Sequence, residues 1–252
     1  MEKIKLFNLI PINFVSKKFF INLVTSWLNK KSKKRIYYMN VHGIITFFKN
    51  KKTLRVLDKA DIIYPDGWGP ILAVKILHNT FTERVNAADF IDKFLTKLNL
   101  KRVRIYLLGG EKNIIQLATD RLRNKYKNIV LTGYHHGFFD KLEGKKIIRE
   151  INIKKPQLVL IGMGSPEQEL WVNDNWETLP NSVFWTVGGL FYYIAGIKSR
   201  APIWMRKYSL EWLYRLLQEP GRLTVRYTWE NLIFAYLVLS NLLKKYFRIK
   251  RF

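Results

Sequence analysis

Asp66 stands in the stretch Pro-Asp-Gly-Trp-Gly-Pro at residues 65–70, directly after the apolar run Ile62-Ile63-Tyr64. Turn-forming residues around a carboxylate have two readings. The aspartate can simply organise a turn. Alternatively, a strand ends here and presents the carboxylate at the rim of a pocket, where it can take a proton from a substrate hydroxyl. Glycines mark three other places suited to ligand binding: Gly109-Gly110, Gly162 with Gly164, and Gly188-Gly189 each follow an apolar run. Glycine at a strand end lets a ligand approach the backbone closely. In open α/β sheets, ligands bind beyond the carboxyl ends of the strands. Three such ends suit a nucleotide-like ligand. None completes G-x-G-x-x-G, which argues against a Rossmann oxidoreductase, and no G-x-x-x-x-G-K-[ST] is present, which excludes a P-loop. The chain has no cysteine, so thiolate chemistry and disulfides are out. Its four histidines, His42, His78, His135 and His136, show no H-E-x-x-H or similar spacing. No metal cofactor is expected.

The elements that must position these residues alternate along the chain. Helical spacing of Phe19, Phe20, Leu23, Val24, Trp27 and Leu28 predicts a helix over 18–30. Strands are expected at "KRIYYMN", ending at Asn40, and at "DIIYP", which delivers Asp66, with one helical stretch between them. Further on, "VRIYLLGG", "NIVLTGYHHGFF", "PQLVLIGMG" and "SVFWTVGG" read as strands and the segments between them as helices. Continuous apolar strands alternating with helices predict an α/β fold whose parallel sheet is covered on both faces. After residue 197 the character changes. The remainder is rich in Arg, Trp, Tyr and Leu, and reads as two or three helices broken near Pro220-Gly221.

Charge narrows the choice of partner. The 252 residues carry 44 Lys and Arg against 19 Asp and Glu, a formal net charge of +25, and 15% are aromatic. That excess implies an anionic partner or a lysine-rich background composition. No helix-turn-helix, zinc or RNP signature is present and the basic residues are dispersed, so nucleic acid is not the expected partner. "LIFAYLVLSNLLKKYF" is too short to span a bilayer. It either packs on the domain or lies in the lipid interface, with Lys244, Lys245, Arg248, Lys250 and Arg251 near lipid phosphates. No secretory signal is evident, and the uncharged run between Glu177 and Lys198 reads as a buried strand and turn. A peripheral protein on the cytoplasmic membrane face is expected.

Several motifs occur in one order: "PDGWGP", "ERV" followed by Asp89, "LLGG", "GYHHGFF", "IGMGSPEQE", "VGG" before "AG", and "RAPIWMRKYSLEWLYRLLQEPGRLTVRY". Over roughly residues 36 to 228 the chain thereby resembles the WecG/TagA/CpsF family of bacterial glycosyltransferases. The resemblance implies a Rossmann-like domain over 1–197 and a helical appendage over 198–252 that serves the acceptor diphosphate and the membrane. It implies inverting, metal-independent transfer from a UDP-sugar to a sugar on a polyprenyl diphosphate, in teichoic acid, capsule or other surface polysaccharide synthesis. By match to the family, Asp66 is the base, Arg84 the active-site arginine and Gln168 a direct ligand contact, with Glu169 structural. Asn40 falls near the sugar; Asp89 and the glycines at the strand ends, Gly109, Gly110, Gly162, Gly164, Gly188 and Gly189, are expected to bind substrate, as are Tyr38 and Tyr192. Arg215, Arg222 and Arg226 reach over the pocket to phosphate, and Arg200 fixes the appendage. A homo-oligomer is compatible with the family.

Three positions depart from the family pattern. Tyr192 stands where the family has Asp, Tyr38 where it often has Thr, and Ala87-Ala88-Asp89 replaces Gly-x-Asp. Both tyrosines are expected near the sugar, so the donor differs from N-acetylmannosamine or the pocket suits another acceptor. The alternative they support is a sugar-nucleotide-binding subunit without transfer activity.

Overall fold

The computed structural model describes residues 2–249 apart from Ser209; the side chains of Lys51, Lys52, Arg222, Arg248 and Ile249 lie outside that description. The chain opens with an antiparallel hairpin, β1 (Lys3–Leu6) and β2 (Ile10–Asn13). Nothing in the sequence pattern predicts strands here. The turn contains no glycine: Phe7 (φ 55°) and Asn8 (φ 60°) adopt the left-handed conformation themselves. Helix α1 (Lys17–Asn29) follows, capped by Ser16, whose hydroxyl accepts from the Phe19 N–H.

Strand β3 (Lys34–Met39) leads to α2 (Val41–Lys49) and α3 (Lys51–Asp58), so the single expected helical stretch is broken at Asn50. Next come β4 (Ile62–Pro65), α4 (Trp68–His78), α5 (Ala87–Asn99), β5 (Arg104–Gly109) and α6 (Lys112–Lys125). After them follow β6 (Val130–His135), α7 (Lys141–Lys154), β7 (Leu158–Gly162), α8 (Glu167–Asp174) and β8 (Val183–Thr186). The chain ends in α9 (Leu190–Ile194), α10 (Ile203–Lys207), α11 (Glu211–Gln218) and α12 (Pro220–Ile249). Proline opens α12 because its missing N–H is unneeded in the first turn.

The six-stranded sheet runs β4-β3-β8-β7-β5-β6, and every neighbouring pair is parallel. Side chains alternate between its faces. Ile36, Leu107, Leu160 and Trp185 pack under α1, α5, α6 and α9. Tyr37, Leu108, Ile161 and Phe184 pack on the opposite side with α2, α3, α7, α8 and the hairpin. Burial on both faces is why these strands carry no polar alternation.

The expected division at residues 197 and 198 falls after α9, but the hydrophobic core crosses it. Phe234 and Leu237 of α12 are buried in the second cluster, and Phe234 meets Phe7 edge-on at 6.0 Å. Of the two alternatives for this segment, Lys245 follows the packed one, donating to the Leu77 carbonyl at the end of α4 at 2.7 Å. Lys250 and Arg251, like the Arg248 side chain, lie outside the described residues. Large apolar side chains nevertheless remain at the surface of α12: Trp229, Leu232, Tyr236, Leu239, Leu243 and Phe247 are exposed. Among the described residues no helix is long and apolar enough to cross a membrane.

Gly162 shows how tightly the strand ends converge. A Cβ there would sit 2.5 Å from the Gly188 carbonyl oxygen and 2.9 Å from the Phe191 ring. Gly162→Ala is therefore expected to lower stability by about 1–3 kcal/mol through overpacking. Urea denaturation checks this; a midpoint equal to wild type would show that the loop yields freely.

Candidate active site

The carboxyl ends of the sheet open into a cavity of about 990 Å³. Tyr38, Asn40, Tyr64 and Asp66 form its floor, delivered by β3 and β4. Gly110, Gly162, Gly164, Gly188 and Gly189 contribute backbone to its wall. Trp212, Arg215, Leu223, Arg226 and Phe234 close it from the appendage. The site is thus built by both parts of the chain.

Asp66 is held at both ends. Its N–H donates to the Met39 carbonyl at 2.8 Å, and its Oδ1 accepts from Asn86 Nδ2 at 2.7 Å. Burial pushes its carboxyl above the ordinary value, while Arg215, the Asn86 hydrogen bond and Arg84 pull it back. A carboxyl raised in this way is a stronger base when ionised, which suits proton abstraction. Asn86 carries no catalytic signature in the sequence. It caps α5 through the Ala88 N–H at 3.0 Å and accepts from Arg200 Nη1 at 2.9 Å as well. Its signal was an Asn immediately before an amphipathic helix, which reads as a cap and conceals the second function.

Arg84 lines the cavity beside it, fixed by Glu211 at 3.0 Å and Asp89 at 2.5 Å. Glu211, at the start of α11, also pairs with Arg215 at 3.0 Å and with Arg200 at 3.3 Å. Burial alone would push the Glu211 carboxyl up; Arg215, Arg200 and Arg84 outweigh it and hold it below its usual value. Arg215 and Arg226 both line the cavity, Arg226 Nε donating to Glu230 Oε2 at 3.2 Å. Arg200 joins Asp89 and Asn86 of the domain to Glu211 of the appendage.

Several expected contacts are placed differently. Gln168 is fully buried and lies outside the cavity lining. Its Oε1 accepts from the Gly188 N–H at 3.2 Å, and its Nε2 reaches Glu169 at 2.7 Å and Ser165 at 3.3 Å. It props two cavity loops from behind, because the first turn of α8 aims it back into the core. Asp89 also lies outside the lining; Arg84, Arg200 and Arg206 occupy its carboxylate. Gly109 is absent from the wall because it packs onto the Gly162 backbone, where no Cβ fits. The Arg222 side chain lies outside the described residues. Tyr38 and Tyr192 do line the cavity. Burial raises the Tyr38 hydroxyl, so it stays protonated, and Tyr192 Oη meets Glu111 at 3.1 Å.

Glu169 is fully buried beside Gln168, and its Oε2 has no hydrogen-bond partner among the described residues. Burial pushes its carboxyl up to about 7 from 4.5, against hydrogen bonds from Gln168 and Ser165. A raised pKa means the native state holds the proton more tightly than the unfolded chain. The associated stability is complete below the ordinary value and is lost as pH rises through about 7, on the order of 3 kcal/mol. Glu169→Gln is expected to flatten this dependence and to be more stable than wild type near pH 8. Thermal melts across about pH 5 to about pH 8 test it; parallel curves for the two proteins would refute it.

A profile of the family described as "Glycosyl transferase WecG/TagA/CpsF family" matches residues 4–248, wider than the motifs alone. The chain belongs to this family and is a glycosyltransferase. A Staphylococcus aureus (strain MW2) protein named N-acetylglucosaminyldiphosphoundecaprenol N-acetyl-beta-D-mannosaminyltransferase is 31% identical over 205 residues, covering 73% of this chain and 80% of that protein. The protein of the same name from S. aureus strain NCTC 8325 / PS 47 is 32% identical over 199 residues, covering 70% and 78%. The Bacillus subtilis (strain 168) protein of that name is 30% identical over 174 residues, covering 69% and 67%.

Proposed function

We propose that this glycosyltransferase moves a sugar from a UDP-sugar to a sugar carried on a polyprenyl diphosphate, with inversion and without a metal. The observation that carries the reading is the placement of Asp66, backed by Arg84 and Arg215, on the floor of a cavity walled by glycine loops. Asp66 takes the proton from the acceptor hydroxyl as that oxygen attacks the anomeric carbon. The bond from that carbon to the UDP oxygen breaks, and the electron pair leaves with the diphosphate. Arg84 and Arg215 supply the positive charge that the departing diphosphate requires. The names of the relatives support an N-acetylglucosaminyl-diphosphoundecaprenol acceptor and an N-acetylmannosaminyl donor. The product serves teichoic acid or another surface polysaccharide. Tyr38 and Tyr192 in the cavity lining make the donor the specificity in question.

A lipid acceptor calls for contact with an anionic membrane. The exposed Ile203 and Trp204 of α10, with Trp229, Tyr236 and Phe247 of α12, supply an apolar and aromatic surface on a strongly basic chain. The test is UDP release by purified protein with the diphosphate-linked acceptor and a panel of UDP-sugars. Acceptor-dependent release with one donor is expected. UDP-sugar binding without release from any donor would favour a non-catalytic binding subunit.

A further inference from the structure

The four histidines show no metal-binding spacing in the sequence, yet the fold brings two of them to a third ligand. His135 closes β6, His136 follows it, and Glu143 stands in the first turn of α7. One ligand atom from each lies within 4.8 Å of the others. None of the three lines the cavity itself, although Gly137 and Phe138, which follow His136, do. His135 Nδ1 lies 2.9 Å from the His136 carbonyl oxygen. Only the nitrogen can donate in that pair, so Nδ1 carries the proton. A backbone carbonyl fixing one ring nitrogen is the usual support of a metal-bound imidazole. The other nitrogen, Nε2, then offers its lone pair, and it faces Glu143 Oε1 at 3.2 Å. Two acceptors at that separation call for a cation between them, either a second ring proton or a metal ion. The His136 ring lies 4.4 Å from that of His135, and its Nδ1 accepts a long 3.3 Å contact from the Phe138 N–H. That nitrogen is easily released to a stronger partner.

We propose that His135, His136 and Glu143 form a binding site for a divalent transition-metal ion. Two imidazoles and one carboxylate match zinc best, with water completing a tetrahedron. Ligand atoms around such an ion lie about 3.3 Å apart. His135 and Glu143 already stand at that separation, and rotation of His136 supplies the third. The bound ion ties the end of the edge strand to α7 and fixes Gly137 and Phe138, which lie on the cavity wall.

Untagged full-length protein, freed of metal by a chelator, is titrated with zinc by calorimetry and with cobalt by visible absorption. One equivalent of zinc is expected to bind, and cobalt to give the intense bands of a tetrahedral site. His135→Ala, His136→Ala and Glu143→Ala are each expected to weaken binding by more than about tenfold, since even outer-shell losses reach that size. His78→Ala leaves it unchanged. No saturable zinc binding by wild type, or affinity unchanged in both His135→Ala and His136→Ala, would overturn the proposal. The wild-type cobalt spectrum decides without any variant: weak octahedral absorption refutes the three-ligand site.

Discussion

Asp66→Asn lowers kcat for acceptor-dependent UDP release by about 10²–10⁴-fold, the usual contribution of a positioned general base. The donor still binds, because the arginines and glycine loops are untouched. The variant also folds. Asparagine keeps an oxygen for the Asn86 Nδ2 hydrogen bond, 2.7 Å in the wild type. Burial raises the Asp66 carboxyl, so the native state holds its proton more tightly than the unfolded chain does. Its stabilising contribution is lost as pH rises through that raised value, whereas the amide is neutral throughout. Stability near neutrality is therefore expected to match or exceed that of wild type, which separates lost chemistry from lost structure. In the wild type, kcat falls on the acid side as pH drops through a pKa above the ordinary carboxylate value. Single-turnover rates across pH, with donor affinity measured separately, test both statements. A variant retaining more than about a tenth of wild-type kcat would remove Asp66 from the mechanism.

The second large effect is structural. Asp89→Ala removes one carboxylate from three guanidinium groups, those of Arg84, Arg200 and Arg206. The Arg84, Arg200 and Asp89 side chains are 12%, 16% and 10% exposed, so little water is available to replace the lost partner. Breaking a buried pair from one side costs about 3–5 kcal/mol. For a chain of this size that corresponds to a fall in melting temperature of roughly 10 °C. Arg200 and Arg206 belong to the appendage and Arg84 to the domain, so the loss falls on the joint between them. The arginines facing the cavity lose their alignment, and donor KM rises along with the thermal effect. Calorimetry and steady-state kinetics on the same preparation measure both. An unchanged melting temperature would show that Glu211 alone holds the joint.

Much of this architecture was legible in the residues. Apolar runs such as Leu158–Gly162 are too short for helices and too uniform for half-exposed strands, so they read as buried parallel strands. "DIIYP" is such a run, and its end carries Asp66 to the sheet edge where ligands bind. The hairpin at Lys3–Asn13 was not legible, because Phe7 and Asn8 make its turn without glycine. Gln168 stood beside a glycine loop in the sequence, but only the orientation of α8 turns it into the core. The sequence left Lys245 between a lipid-facing and a domain-facing place, and α12 lays it against the end of α4.

The sequence by itself determined the alternation of strand and helix, the glycine-lined edge, the base candidate and the family. These depend on local pattern, and a strand's burial is written in its own side chains. The tertiary structure alone decided which polar groups face the cavity and which serve one another. Asn86 reaches back to Asp66 across 20 residues, Arg84 meets Glu211 across 127, and His42 meets Glu230 across 188. Such partners are chosen by the packing of whole elements, which no local pattern encodes. The convergence of His135 and His136 with Glu143 has the same origin, since the turn into α7 brings the carboxylate back to the strand end.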